Sequence, residues 1–247
     1  MQYRHCRVDD PQLIERMKLL AAERLRWGWR LLIMLRREGW TIGERVFRRL
    51  YRSLGLHVMR TRKRHVRYVR GNVVEPVAAP NVRWSIDFMH ARLSSGRSYR
   101  LLNVIDDCTA ETLAIEPAFS FGSADVIRIL ESVAFERGLP TTIRSDNGSE
   151  FSSRRMLQWA TDRNVLLHFI QPGKPTQNAK IESLNGRIRD ELLNPLVFKN
   201  IDEVRAAAAH WKTDYNEVRP HSSLGYATPR EFADQFKTNQ PSQLSAA

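Results

Sequence analysis

The stretch IRSDNGSEF, residues 143–151, decides the reading of this chain. A short apolar lead ends in Arg-Ser, then an acid, then an Asn-Gly pair, and a second acid, Glu150, follows closely. Asn and Gly are the residues that a sharp turn uses, because they tolerate backbone angles that other side chains resist. Asp146 therefore stands at the end of a short strand, facing whatever the neighbouring strand carries. It is either turn chemistry or a ligand with partners elsewhere in the chain.

Working outward, the region from 82 to 193 alternates strands and helices. VRWSIDFMHARL (82–93), SYRLLNVIDDCT (98–109) and TLAIEPAF (112–119) read as three strands with SSGR (94–97) as the first turn, an antiparallel meander. GSADVIRILESVAFERG (122–138) has helical periodicity with Val126, Ile129, Leu130 and Val133 on one side. The short strand at TTIRS, a helix over about 153–163, the strand VLLHFI and a long helix after QPGKPTQN complete the order. This βββαβαβα order predicts an α/β fold, an RNase H-like mixed five-stranded sheet with flanking helices.

Two further acids suit the same purpose as Asp146. Asp87 lies within the first strand, in WSIDF, and Glu182 in the long helix TQNAKIESLNGRIRDELL. In that helix Ile181, Leu184, Ile188 and Leu192 form the buried stripe, and Asn178, Glu182, Asn185 and Arg189 an adjacent polar one. Metal-dependent phosphoryl transfer needs carboxylates converging on hard cations, and two such ions clamp the attacking and leaving oxygens of an in-line displacement. Asp146 and Glu182 have 35 residues between them, a spacing that carries little by itself. The placement of each acid on its element carries the argument.

Charge is unevenly distributed. Residues 1–72 hold 19 Lys and Arg against 6 Asp and Glu, the remainder 20 against 21. A basic module thus precedes a nearly neutral one, which points to a polyanion partner. Residues 9–26 and 28–40 read as helices, the second stopped by Gly39. Thr41 is placed to cap a third, in which Val46, Leu50 and Leu54 form the apolar stripe and Arg45, Arg48, Arg49 and Arg52 the opposite side. Two short helices joined by a tight turn, the second Arg-rich, predict a helix-turn-helix-like DNA-binding module over 1–58. MRTRKRHVRYVR, with Arg62, Lys63 and Arg64, and the Pro-containing GNVVEPVAAP make a linker over 59–80. A catalytic core with C-terminal helices then spans 81–235 and a tail 236–247. There is no apolar run of the ~20 residues that cross a bilayer and no signal-like N-terminus, and the two cysteines have no metal-type spacing, so a cytoplasmic, nucleoid-associated protein without a membrane partner is expected.

Five phrases in order, WSIDF, LLNVIDDCT, IRSDNGSEF, HFIQPGKPTQNAKIESLNGRIRDELL and YNEVRPHSSLGYATPREF, resemble the DDE transposases of bacterial insertion sequences. The likeness is to the second-reading-frame (OrfB) type, related to retroviral integrases, and extends through WGWRLLIMLRREGW near the N-terminus. It implies an RNase H-like integrase catalytic core, two Mg²⁺ or Mn²⁺ ions, and metal-dependent 3′-end cleavage followed by strand transfer. It assigns the triad to Asp87, Asp146 and Glu182, as the geometry does. It also implies transposon ends and target DNA as partners, a homo-oligomer on DNA, and an upstream-frame product (OrfA), separate or fused. Lys180, Cys108 and Ala110 depart from the familiar pattern without touching the triad.

Around these acids, Asn147, Gly148 and Glu150 read as supporting residues, and Lys174, Asn178, Asn185 and Arg189 as DNA contacts. Asp106 and Asp107 read as strand-end turn chemistry, His168 as a core histidine, and Arg219 and His221 as a structural clasp. The competing functions are a metal nuclease of the same fold that does not rejoin ends, and a DNA-binding regulator with a dead catalytic domain.

Overall fold

β-branched and aromatic residues at alternating positions build the sheet. In the computed structural model, residues 9–24, 26–56, 77–171 and 175–238 are described, excepting the side chains of 175–176 and 237–238. The chain divides into two compact units, residues 1–67 and 68–247.

In the larger unit the strands are β1 (Arg83–Arg92), β2 (Ser98–Asp106), β3 (Thr112–Ala118), β4 (Thr142–Ser145) and β5 (Leu166–Phe169). They form one sheet in the order β3-β2-β1-β4-β5. β1, β2 and β3 are antiparallel, as the meander predicts, while β4 and β5 run parallel to β1. The helices are α4 (Ser123–Arg137), α5 (Ser149–Ser152), α6 (Arg154–Asp162), α7 (Ala179–Ile188), α8 (Ile201–Glu217) and α9 (Pro229–Thr238), numbered after three in the smaller unit.

The period-two pleat sends β1 side chains to two different cores. Trp84, Ile86 and Phe88 pack with Leu102, Val104 and Ile143 beneath Val126, Ile129 and Leu130 of α4 and Met156 and Trp159 of α6. Met89 on the opposite face joins Leu101, Ile105 and Ile115 beneath Ile181, Leu184 and Ile188 of α7 and Trp211 and Tyr215 of α8. The predicted stripe of α7 is thus its buried one, Leu192 included. Each fully buried Leu or Ile contributes roughly 1.5–3 kcal/mol by removal from water.

The long helix is less regular than its periodicity suggests. A 3₁₀ turn, Pro175–Asn178, leads into α7, and a π-helical turn, Arg189–Leu193, ends it. A short helix, α5, precedes α6 where a single helix was expected, separated from it by Ser153, whose Oγ accepts from Met156 N. α9 runs to Thr238, beyond the predicted start of the tail at 236.

The smaller unit contains α1 (Pro11–Glu23), α2 (Arg30–Arg37) and α3 (Glu44–Ser53). Asp10 caps α1 through Gln12 N, with Pro11 in the first turn. Gly39, at φ 91°, ends α2, and Trp40 N bonds back to Leu35 O, an arrangement that a side chain at 39 would strain. Gly43, not Thr41, is the N-cap of α3, and it offers no side-chain oxygen. The stripe of α3 is also displaced: Phe47 and Leu50 are buried, while Val46 and Leu54 are half-buried. The aromatic Phe47 fills the space between helices, edge-on to Trp29 and stacked on Tyr51.

Candidate active site

Two strands and one helix bring the three predicted acids to one place. β1 pairs parallel with β4 at Trp84–Ile143 and Ser85–Arg144. Continued by two residues, this register sets Asp87 level with Asp146, just past the end of β4. In β1, Ser85, Asp87 and Met89 point to the face covered by α7, which carries Glu182 in its first turn. Asp87 is half-buried, whereas Asp146 and Glu182 are exposed.

Electrostatics reports the convergence. Burial pushes the Asp87 carboxyl up to about 6, and the charges of Asp146 and Glu182 push in the same direction. Bonds from Phe88 N and Asn185 oppose this but do not overcome it. Burial also raises Glu182. Among the described residues, none of the three acids is paired with a Lys or Arg.

Asn185, read from the sequence as a DNA contact, bonds Asp87 in the structure. Its Nδ2 donates to Asp87 Oδ2 at 2.7 Å, and its Oδ1 accepts from Asn103 Nδ2 at 2.7 Å. Asn103 is the antiparallel partner of Asp87 and fully buried. An ionised Asp87 only accepts, so the donor–acceptor sense of both amides follows from it. The sequence reading missed Asn103. A lone amide in the apolar run LLNVI was the available signal, but its place opposite Asp87 depends on strand register.

The IRSDNGSEF loop is fixed at three points. Asn147 Nδ2 donates to Ile170 O at 2.9 Å, tying the turn to the end of β5. Asp146 Oδ1 accepts from Gly148 N at 3.0 Å. Gly148 has φ −55°, so the turn needs no left-handed residue there. Its requirement is close approach: a Cβ would lie 3.1 Å from Asp146 Oδ1 and 3.4 Å from the Phe151 ring. Glu150 bonds Arg100 Nη1 at 2.6 Å. Arg100, on β2 and also missed, lies over the Phe88 ring, and Phe88 stacks on Phe151 at 5.0 Å. That stack holds α5, and with it the Asp146 loop, against β1.

The remaining candidates separate. Asn178 is buried, unsuited to the DNA contact expected of it, and its Oδ1 meets no donor among the described residues. Arg189 is exposed at the π turn, while Arg62, Lys63, Arg64 and Lys174 lie outside the described residues. Arg45, Arg48, Arg49 and Arg52 line one open face of α3, with Arg49 paired to Asp9 and Arg48 over the Trp29 ring. His168 is exposed on the short edge strand β5 rather than in the core. Arg219 and His221 are buried, Arg219 bonded to Glu191 and His221 edge-on to Tyr215, as a clasp requires.

A five-stranded mixed sheet with one acid within a central strand, one just past the end of its parallel neighbour and one on a covering helix defines an integrase-type catalytic core. Residues 77–175 match one integrase core domain family and residues 163–229 a second. The chain is 45% identical over 230 residues to an uncharacterized 31.7 kDa protein of insertion element IS407 from Burkholderia multivorans, covering 93% of this chain and 83% of that one. It is 37% identical over 242 residues to an uncharacterized 39.2 kDa protein of insertion element IS476 from Xanthomonas euvesicatoria, covering 96% and 70%. A solved structure, the HTLV-2 integrase catalytic core domain in complex with magnesium (trimeric form), shares the fold. Its TM-score is 0.52 at 17% identity, over 63% of this chain and 98% of that one. The chain belongs to the insertion-sequence DNA transposases that carry an integrase catalytic core. No helix among the described residues is long and apolar enough to cross a membrane.

Proposed function

We propose that Asp87, Asp146 and Glu182 are the catalytic acids of this transposase and hold two Mg²⁺ or Mn²⁺ ions while it cleaves 3′ ends of the element and transfers them to target DNA. The observation that carries this reading is the register setting Asp87 level with Asp146 on the face that α7 covers with Glu182, where burial first and the charges of the other two acids second raise Asp87. Among the described residues no three His, Cys, Asp or Glu side chains stand close enough together to hold a metal ion in this structure. The donor chemistry nevertheless fits: the set is all oxygen, as hard divalent cations prefer, and none of the three is paired with a Lys or Arg among the described residues. When bound, the ions supply charge neutralisation at the scissile phosphate and acidify the attacking water.

The chain's own residues define the rest. Asn185 and Phe88 N fix the Asp87 carboxylate, and the Gly148 N–H fixes that of Asp146. In cleavage, a bond from water oxygen to phosphorus forms as the P–O3′ bond breaks, leaving a 3′-OH on the element end. That hydroxyl then attacks a second phosphodiester in the same manner, with no covalent protein intermediate. Arg189, exposed beyond the C-terminal end of α7, and the α3 arginines are assigned to DNA phosphates, as are Lys174, Arg62, Lys63 and Arg64. The trimeric form of the HTLV-2 core supports action as a homo-oligomer on DNA, and an upstream-frame product remains part of this proposal.

The test is end cleavage and strand transfer on DNA carrying element ends. Asp146→Asn should lower both by at least about a thousand-fold, roughly 4 kcal/mol of transition-state stabilisation, while DNA binding persists. Full strand transfer by Asp146→Asn would overturn the assignment. Cleavage without joining by the unaltered protein would identify a nuclease instead.

A further inference from the structure

We propose that a cavity of about 540 Å³ beside α7, separate from the three acids, binds a phosphate group. Among the described residues four cationic side chains line it, Arg83, Arg144, Lys180 and Arg187, against one carboxylate, Asp107. Asp107 is already shared between Arg83 at 2.5 Å and Arg144 at 3.8 Å. Among the described residues the lining therefore holds more positive than negative charge, which a single anion would reduce.

Arg144 gives the independent sign of a missing ligand. It is 7% exposed, and its Nη1 donates to Gln177 O at 2.9 Å, yet its Nε finds no acceptor among the described residues. A buried donor without an acceptor is destabilising, and more so when it belongs to a charged group. Guanidinium groups match phosphate oxygens in geometry as well as charge.

The pleat places this cavity relative to the acids. Arg144 lies two residues before Asp146, and Arg83 pairs beside Thr142 at the start of β1. Two residues of strand span about 6.6 Å, so the cavity lies near the acids on the α7 face of the sheet but deeper along it. Lys180, Ser183 and Arg187 reach it from the edge of α7 away from Asn185. The volume accepts a phosphate with an attached sugar, within the range of ordinary ligand pockets. The phosphate comes either from solution or from the DNA backbone, the latter resting on the function proposed above.

Nitrogen-15 NMR of the arginine Nε–H groups in the full chain tests this at constant ionic strength. Inorganic phosphate and a ten-nucleotide single-stranded DNA are titrated separately, with chloride as control. A saturable shift of the Arg144 Nε–H signal is expected. A shift with phosphate alone identifies a free-phosphate site, and a shift with the oligonucleotide that phosphate reverses identifies a backbone site. Lys180→Gln with Arg187→Gln should weaken the interaction at least tenfold. Ser183→Asp, which removes no cation, should do the same by adding a negative charge. Asp146→Asn should leave it unchanged, so loss of the catalytic assignment would not be mistaken for loss of this one. No shift beyond chloride with either probe, or equal affinity in Ser183→Asp, would overturn the proposal.

Discussion

Two groups of acids occupy the same sheet and are treated in opposite ways. At the end of β2, Asp106, Asp107 and Glu111 are all nearly inaccessible. Asp106 accepts from the backbone N–H groups of Asn81, Cys108 and Thr109 at 2.8–3.0 Å. Asp107 accepts from Arg83 at 2.5 Å and Ser85 Oγ at 2.7 Å, and Glu111 from Arg137 at 2.6 Å. Asp107 and Glu111 each face a guanidinium, and the backbone donors and the Arg137 charge offset part of the burial that raises the Asp106 carboxyl. Asp87, Asp146 and Glu182 share a region with each other and no protein cation among the described residues. Buried acids with built-in donors hold a turn together, whereas acids set near one another with no cation paired to them are arranged for a ligand from outside.

The largest effect that would test the contrast is at the compensated group. Asp107→Ala leaves Arg83 and Arg144 without their shared carboxylate, and removing one partner of a buried pair costs about 3–5 kcal/mol. The melting temperature should fall by roughly 10 °C, with cleavage by the folded fraction retained. Calorimetry with active-fraction titration checks this, and an unaltered melting curve would show that the two groups do not differ as described.

The opposite sign is expected at Asp87. Its carboxyl is pushed up to about 6, above the ~3.9 of an unfolded aspartate. The folded chain holds that proton more tightly, so this contribution to stability is full below about pH 4, is lost as pH rises through 6, and is flat above. The ceiling is roughly 3 kcal/mol, and partial exposure reduces it to about 1–2 kcal/mol. Metal-free Asp87→Asn should therefore melt higher than the unaltered protein at pH 7, and equally at pH 4, while losing activity. Magnesium should close the gap by stabilising only the unaltered protein. Equal melting across this pH range would remove the claim of uncompensated charge.

Asn185 supplies a neutral side-chain donor to Asp87, and its loss should be intermediate. Asn185→Ala should lower cleavage about 10–100-fold, as loss of an outer-shell partner does, with partial rescue at raised metal concentration. The acidic limb of the pH–rate profile should move upward, because a bond that favours ionised Asp87 is gone. A uniform loss, with no change in metal requirement or profile, would indicate a structural role only.

These differences mark where the sequence was readable. The strands, the order of elements and the stripe Ile181, Leu184, Ile188 and Leu192 follow from local periodicity, and so were visible without a structure. Asp87, Asp146 and Glu182 could be picked out because each stands at a definite place on its element. Asn103 and Arg100 could not, since their roles depend on β1–β2 register and on a loop folding back across 50 residues. His168 was misplaced because an apolar strand reads as central, while β5 is the edge and alternates exposed with half-buried side chains. Asn178 was misplaced because a helical wheel puts it beside Glu182, whereas the 3₁₀ turn rotates it inward.

Glu150 lies between the two regimes and gives the smallest expected effect. It belongs to the same nine residues as Asp146, yet it resembles the compensated group. Burial raises its pKa, but the bond and charge of Arg100 outweigh that and hold it below the usual carboxylate range. Its side chain is 17% exposed and that of Arg100 21%, so the pair is partly screened. Glu150→Gln keeps an oxygen to accept from Arg100 and removes only the charge. Stability should change by no more than about 1 kcal/mol, and end cleavage by a few-fold, through slight loosening of α5 against Phe88. A ligand to the ions would behave differently, losing activity about a hundred-fold or more with the fold intact. Measured beside Asp146→Asn in the same cleavage assay, the variant therefore separates an acid that positions the loop from the acid that the loop presents.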